Sequence, residues 1–433
     1  MKLNFLRGNF LPKFISAVAA QALLSAGGLA VSLLLLRYVA DAQYGYYVLV
    51  LNAIMLLTGI QSSFIAPAMV QRMTPLGAGE RASLIGGLYR EQRQVLPVLC
   101  ALAMVACVSL WLLKLITASM AILFFVAALA ALAALYREFF RMVLMAYRIP
   151  GAVLRGDIVY VAILICGAAL STLTPAPAVV AVSCLCGAAL VTGTLLSRSL
   201  WKHEPWEITG TPGILRKIAA VGAWTNAGSV IHWSFSQGYN YLIVGALDVA
   251  AVAAAASTRL LTMPVNLLST GVCSLMLPTA SAWVVQHGSA STFRRLALSA
   301  FSVAGLALLY YAIVWIGRDF IFERVLHKQF VQRDALLLLW AGASILMVFR
   351  DQLLYLPMAR GRYHQLTFLS LGCAVTSLTV SYIALRHIGV AGAPVGVIVG
   401  ETINVAGLIL MSMHEVNLDR RLTAAEHAPW PTS

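Results

Sequence analysis

The feature that most constrains this chain is a succession of apolar runs, each about as long as a bilayer is thick. A membrane-spanning helix needs roughly 20 apolar residues. About twelve such runs fit here, with short connections between them. In the first half they cover residues 14–36, 46–70, 95–113, 118–135, 157–173 and 178–197. In the second half they cover 219–247, 249–280, 296–316, 335–349, 365–385 and 390–413. Composition agrees, since 61% of the 433 residues are hydrophobic and only 11% are charged. Soluble domains average about half apolar and a quarter charged. The sequence therefore predicts an all-α, polytopic membrane protein with no room for a sizeable soluble domain. The first run follows Lys2, Arg7 and Lys13 and is long for a signal-peptide core. We read it as an uncleaved helix.

The basic residues set an orientation, because Lys and Arg collect on the cytoplasmic side of a membrane. With the N-terminus inside, the cytoplasmic segments hold clusters such as Arg72, Arg81, Arg90, Arg93 and Arg137, Arg141, Arg148, Arg155. Arg198, Lys202, Arg216, Lys217 and Arg350, Arg360, Arg362 fall on the same side. The outer segments hold Arg37, Lys114, Arg318, Arg324, Lys328, Arg333 and Arg386. The bias is roughly three to one and puts both termini in the cytoplasm. It also accounts for the net charge of +14 through anionic lipid headgroups, so nucleic acid is not expected as a partner. All seven cysteines fall in apolar runs, without metal-like spacing or a disulfide framework. No metal site and no cofactor is expected.

The connection "RSLWKHEPWEITGTPGILRK", with Pro205 and Pro212, divides the chain. The expected organisation is an N-terminal six-helix bundle at 1–197 and a cytoplasmic linker at 198–217. A C-terminal six-helix bundle at 218–414 and a tail at 415–433 follow. Aligning Asp41 on Asp248 matches the layout of the halves and puts Asn52 opposite Arg259. Internal repeats around a central site are a common transporter plan.

Several polar residues lie where lipid-facing residues should be apolar. Arg259 interrupts "AAVAAAASTRLLTMP", about 15 Å from the outer surface by the helical rise from Asp248. An arginine at mid-span costs about 2.5–3.5 kcal/mol to insert, unless it faces a wet cavity or an anion. Guanidinium binds phosphate oxygens through a fork of donors, so Arg259 and Asn52 are candidate substrate contacts. The alternative for Arg259 is a local hydrogen-bond or salt-bridge role that holds the two bundles together. "NAGSVIHWSFSQGYNY" is polar for a span, which makes His232, Gln237 and Asn240 candidate cavity residues. Arg37 is another, at the outer end of the first span. Gln21 and Gln61 are of the same kind.

Glu401 lies beside the ladder Gly392, Gly396, Gly400, whose four-residue spacing admits a close helix neighbour. It is a candidate for ion coupling or a paired structural acid. Asp157 is a second coupling candidate, although its position at the start of a span favours a solvated helix start. Pro264 and Pro278 are expected to bend the eighth span and Pro67 the second. The segment 319–333 reads as a short helix in the outer interface.

"RYVADAQYGYYVLV", with Asp41, Gly45 and Tyr46, resembles the first outer turn of polysaccharide (O-antigen-type) transporters. "IGRDFIFERVLHKQFVQRDALLLLW" is similar to that family's connection into span ten. "MARGRYHQLTFLSLGCAVTSLTVSYIALRHIGVAGAPVGVIVGETI" looks like its last two spans. The family belongs to the multidrug/oligosaccharidyl-lipid/polysaccharide exporter superfamily. The resemblance implies two pseudo-symmetric six-helix bundles around a central cavity. It implies alternating access and a flippase moving a lipid-linked (polyprenyl-pyrophosphate) oligosaccharide across a bacterial inner membrane. Its implied partners are that substrate, membrane lipids, a proton or sodium ion, and a polysaccharide polymerase with its chain-length machinery. A drug antiporter of the same superfamily is the alternative. A glycan polymerase or ligase fits less well, since no large outer loop, convergent acid–base set or phosphate-binding glycine loop is visible, and no enzymatic activity is expected. The family's acidic residue late in span seven is replaced here by Asn240, so the resemblance carries no ion-coupling role to that position.

Overall fold

The structure is a computed structural model that describes residues 10–73, 76–206, 213–273, 276–330 and 332–426. Lys2, Arg7 and Pro212 lie outside the described residues. The chain is helical throughout the described residues and divides into two compact units, Met1–Val230 and Ile231–Ser433. Nine helical stretches among the described residues are long and apolar enough to cross a membrane, or ten if one bent pair counts as a crossing. One of these stretches, Tyr363–Arg421, holds two helices joined by a turn. The protein is thus an all-α, multi-pass membrane protein.

In the first unit the helices are α1 (Phe10–Tyr38), α2 (Asp41–Met73), α3 (Ala78–Leu112), α4 (Ala118–Ala146), α5 (Pro150–Ser171) and α6 (Pro177–His203). α7 (Ile214–Gln237) follows and contains the boundary between the units. The starts follow local chemistry. Thr117 caps α4 by accepting from the Met120 amide at 3.4 Å. Pro150 and Pro177 open α5 and α6, where a missing N–H costs nothing. Glu91 accepts from the first two amides of α7 at 2.9 and 2.8 Å. α4 lies along both α2 and α6, and α5 packs on α1 and α6. The outer face of α3 inverts the rule for soluble proteins: Val98, Leu102, Val105 and Leu112 are exposed, as a lipid-facing surface requires.

The second unit holds α8 (Tyr239–Ala246), α9 (Val249–Leu260), α10 (Met263–Cys273), α11 (Met276–Ile316), α12 (Arg333–Leu353), α13 (Tyr355–Ala359), α14 (Tyr363–Ile388) and α15 (Gly392–Glu426). Two spans are interrupted here, one unexpectedly and one as the sequence predicts. The seventh breaks at Gly238 between α7 and α8. The eighth bends by 53° between α9 and α10. Pro264, the second residue of α10, has no amide to offer the preceding turn, so the helix cannot run straight through. Tyr310 of α11 donates to the Leu261 carbonyl at the bend, at 2.9 Å. That bond satisfies a backbone group with no water to turn to in lipid. α11 is itself broken at Gly288, whose φ of 73° lies in the left-handed region.

The glycine ladder of α15 packs against α14. A Cβ on Gly396 would meet the Ser381 hydroxyl at 2.1 Å and the Ser377 carbonyl at 2.5 Å. The turn Gly389–Ala391 joins the two helices. The segment expected as an interfacial helix is helical from its start only as far as Val325. His327, at φ 52°, ends it. Arg333 opens α12 instead and is held by Asp319 at 2.6 Å and Asp334 at 2.8 Å.

Candidate functional site

Arg259 is the next-to-last residue of α9. Asp248 caps this helix by accepting from the Ala251 amide at 2.7 Å, and an alanine-rich run carries it to the bend. The carbonyl end of the helix bears partial negative charge, which eases placement of a cation there. Arg259 Nη1 donates to Gln237 Oε1 at 2.9 Å and to the Tyr239 hydroxyl at 2.6 Å. The guanidinium also lies 5.4 Å from the ring centroids of both Tyr239 and Trp340. Tyr239 and Trp340 are fully buried and pack against each other with ring centroids 5.2 Å apart and planes tilted by 51°, so they form a fixed wall. Among the described residues no carboxylate is within ion-pair distance of Arg259, and its Nε and Nη2 donors are not engaged. The group is partly exposed. This is a cation held in place by neutral and aromatic partners, with one edge of its donor fork unused.

Gln237 and Asn240, both sequence candidates, complete this cluster. Gln237 Oε1 also accepts from Asn240 Nδ2 at 3.3 Å, and the Gln237 carbonyl accepts from it at 3.2 Å. Asn240 is buried, and its Oδ1 has no hydrogen-bond partner. The break at Gly238 puts Gln237 and Asn240 at the joint between α7 and α8, where both reach Arg259's side of the unit. His232 lies on α7 and is exposed.

Glu401 of α15 is fully buried and ion-paired with Arg350 of α12. Arg350 also grips Asp351, with Nη2 at 2.8 Å and Nε at 3.1 Å from Oδ1. Ser269 of α10 donates to the other Asp351 oxygen at 2.9 Å. The second Glu401 oxygen, Oε2, is buried without a partner. One charged chain therefore links α10, α12 and α15. The sequence reading missed Arg350 as Glu401's partner, because it sat at the edge of an apolar run and was counted with a cytoplasmic turn. The general signal was available, since a buried acid in an apolar span needs a cation, but nothing in the spacing singles out Arg350 as that cation.

Asp157 requires a correction. It is not a solvated helix start but has no exposed surface. α5 begins at Pro150, so Asp157 lies two turns inside. There Arg137 Nη2 reaches its Oδ1 at 2.5 Å, and Arg141 Nε reaches its Oδ2 at 3.4 Å. Arg137 also covers the Tyr160 ring at 3.8 Å. Asn52 is buried in α2 of the first unit. Arg37 is exposed at the end of α1, 5.2 Å from the Tyr38 ring. Gln61 of α2 donates to Gln92 of α3 at 2.8 Å and to the Leu135 carbonyl of α4 at 3.0 Å, tying three helices together.

No protein-family model matches the sequence, and no curated protein is similar to it. Solved structures are similar in fold. An inward-facing multidrug resistance MATE family transporter of the MOP superfamily matches with a TM-score of 0.70 at 14% identity. That match covers 93% of this chain and 99% of the other. This chain shares that transporter's fold over nearly its whole length. The lipid II flippase MurJ, in an inward closed conformation, matches with a TM-score of 0.71 at 11% identity, covering 90% of this chain and 86% of that one. A MOP superfamily transporter from Pyrococcus furiosus, described as having a binding pocket of reverse polarity, matches with a TM-score of 0.63 at 14% identity. That match covers 94% of this chain and 95% of the other.

Proposed function

We propose that this protein is a flippase. It moves a lipid-linked, polyprenyl-pyrophosphate oligosaccharide from the cytoplasmic to the outer leaflet of a bacterial inner membrane, by ion-coupled alternating access. The product feeds cell-surface polysaccharide synthesis, with a polymerase and its chain-length machinery as downstream partners.

The observation that carries this reading is the contrast among three arginines within the helices, Arg137, Arg259 and Arg350. Arg137 and Arg350 each have carboxylates at hand. Among the described residues Arg259 has only Gln237, Tyr239 and the Trp340 ring. An unneutralised guanidinium inside apolar helices is costly, and a pyrophosphate would supply the missing charge through the unused donors. A transporter of cationic drugs needs the opposite polarity. The fold is shared by multidrug transporters and a lipid flippase, so the charge of the site separates the two readings.

Asn52, Gln237, Asn240, His232 and Arg37 are assigned supporting contacts to sugars and phosphate along the pathway. Glu401 is assigned the coupling role: its unpartnered Oε2 is open to a proton or sodium ion, and its Arg350 partner has Asp351 to fall back on. Asp157 has both oxygens held by arginines and is assigned to packing within the first unit. The test uses cells lacking the protein, complemented with wild type or Arg259→Ala at equal membrane levels. Accumulation of the lipid-linked intermediate on the inner leaflet in the knockout and in the mutant supports the assignment. Unchanged intermediate and surface glycan in the knockout would refute it.

A further inference from the structure

The basic end of the first unit contains a cavity that the transport reading does not use. It has a volume of about 420 Å³ and is lined by Met73, Arg81, Tyr147, Arg148, His203 and Glu204, with Ala146. These residues come from the C-terminal ends of α2, α4 and α6 and the start of α3. The charge bias of the sequence assigns this end to the cytoplasm.

The cavity's chemistry is two-sided. Arg81, Arg148 and His203 supply cationic or donor groups. Arg81 spends only Nε on its own backbone, donating to the Leu76 carbonyl at 2.8 Å. Arg148 makes no ion pair among the described residues. On the other side, the Tyr147 hydroxyl and Glu204 Oε1 are buried without hydrogen-bond partners. Burial, followed by the neighbouring Glu204 carboxylate, pushes the Tyr147 phenol up. The Tyr147 ring is fixed edge-on against His203, with centroids 6.0 Å apart.

Arg148 also holds a backbone position that favours glycine, as Lys114 does at the end of α3. α4 ends in a closing turn in which the Arg148 amide bonds the Met145 carbonyl at 2.9 Å and the Ile149 amide bonds the Leu144 carbonyl at 3.0 Å. The residue at this left-handed position is ordinarily glycine. Here it is an arginine at φ 58°. The backbone would be better served by glycine, and what the arginine adds is its guanidinium at the cavity.

We propose that this cavity binds a phosphate ester carrying an ammonium or hydroxyl donor at its other end. The phosphate sits against Arg81, Arg148 and His203, and the donor end sits against Glu204 and the Tyr147 hydroxyl. The same chemistry occurs in an ethanolamine phospholipid headgroup and in a soluble phosphoethanolamine or sugar phosphate. The inference is independent of the transport assignment.

The test titrates the detergent-purified full chain by calorimetry with O-phosphoethanolamine, with glucose 1-phosphate and with inorganic phosphate. Native mass spectrometry then measures retention of phosphatidylethanolamine against phosphatidylcholine. Arg148→Gly suits the left-handed backbone, so it removes the guanidinium without endangering the fold. It should weaken binding of every phosphate-bearing probe by about tenfold or more, in line with loss of a charge-assisted contact. Glu204→Gln should weaken O-phosphoethanolamine by a similar factor while leaving inorganic phosphate within about twofold. Binding confined to the phospholipid identifies a lipid site, and binding confined to the soluble esters identifies a cytoplasmic ligand. Equal affinities for wild type and Arg148→Gly, or no binding of any probe to wild type, would overturn the proposal.

Discussion

The pair formed by Arg350 and Glu401 makes an asymmetric prediction. Arg350 serves two carboxylates, Glu401 and Asp351, whereas Glu401 relies on Arg350 for its only ion pair among the described residues. Replacing Arg350 by Met therefore strands a fully buried Glu401 carboxylate and releases Asp351 as well. Breaking a buried pair from one side costs about 3–5 kcal/mol. Replacing Glu401 by Gln leaves Arg350 anchored on Asp351 at 2.8 and 3.1 Å. Its cost is that of one weakened charged hydrogen bond, about 1.5–3 kcal/mol. The double variant, Arg350→Met with Glu401→Gln, removes the stranded charge and should recover part of the loss. Equilibrium unfolding of the four proteins in mixed micelles gives the cycle directly. The reasoning fails if Arg350→Met costs no more than Glu401→Gln, or if the double variant is as unstable as Arg350→Met.

Two further perturbations test the packing that positions these sites. Gly396→Ala drives a methyl into the Ser381 hydroxyl and the Ser377 carbonyl and should cost about 1–3 kcal/mol, whereas Gly372→Ala on α14 meets nothing within 4 Å and should be nearly neutral. Thermal unfolding of the two purified variants compares them. Tyr310→Phe strips the hydroxyl from the Leu261 carbonyl at the bend between α9 and α10. It should cost about 0.5–1.5 kcal/mol and increase amide exchange at that joint, and unchanged exchange would deny the bond its role.

Much of the fold was legible because lipid imposes a simple pattern. A bilayer demands long apolar helices, and the runs at 118–135 and 178–197 fall inside α4 and α6, while 390–413 starts in the turn just before α15 and continues into it. The equation of Asp41 with Asp248 also has a physical basis, since Asp41 opens α2 and Asp248 caps α9. Pro264 announced the bend in the eighth span. Gly238 did not announce the break in the seventh, because a lone glycine inside an apolar run is equally at home in a straight helix.

The charges were harder to place. Counting arginines by their distance from apolar runs put Arg137 and Arg350 in loops, yet α4 runs to Ala146 and α12 to Leu353 and carry both inward. Their partners, Asp157 and Glu401, are 20 and 51 residues away, and sequence spacing holds no record of such contacts. For Arg259 the residue type and its place in an apolar helical run were readable. Its aromatic wall, built from Tyr239 and the distant Trp340, emerges only once α8 and α12 pack.

The central claim is that Arg259 meets an anionic headgroup during transport. It is tested most directly in vesicles reconstituted with the purified protein and a fluorescent polyprenyl-pyrophosphate disaccharide, reading transfer between leaflets by chemical quenching. Wild type should transfer the probe, Arg259→Lys should be slowed because an ammonium lacks the forked donors, and Arg259→Ala should lose at least about tenfold in rate. An uncharged analogue lacking the pyrophosphate should move slowly in all three. Transfer by Arg259→Ala at the wild-type rate, or equal transfer of the uncharged analogue by wild type, would contradict the account.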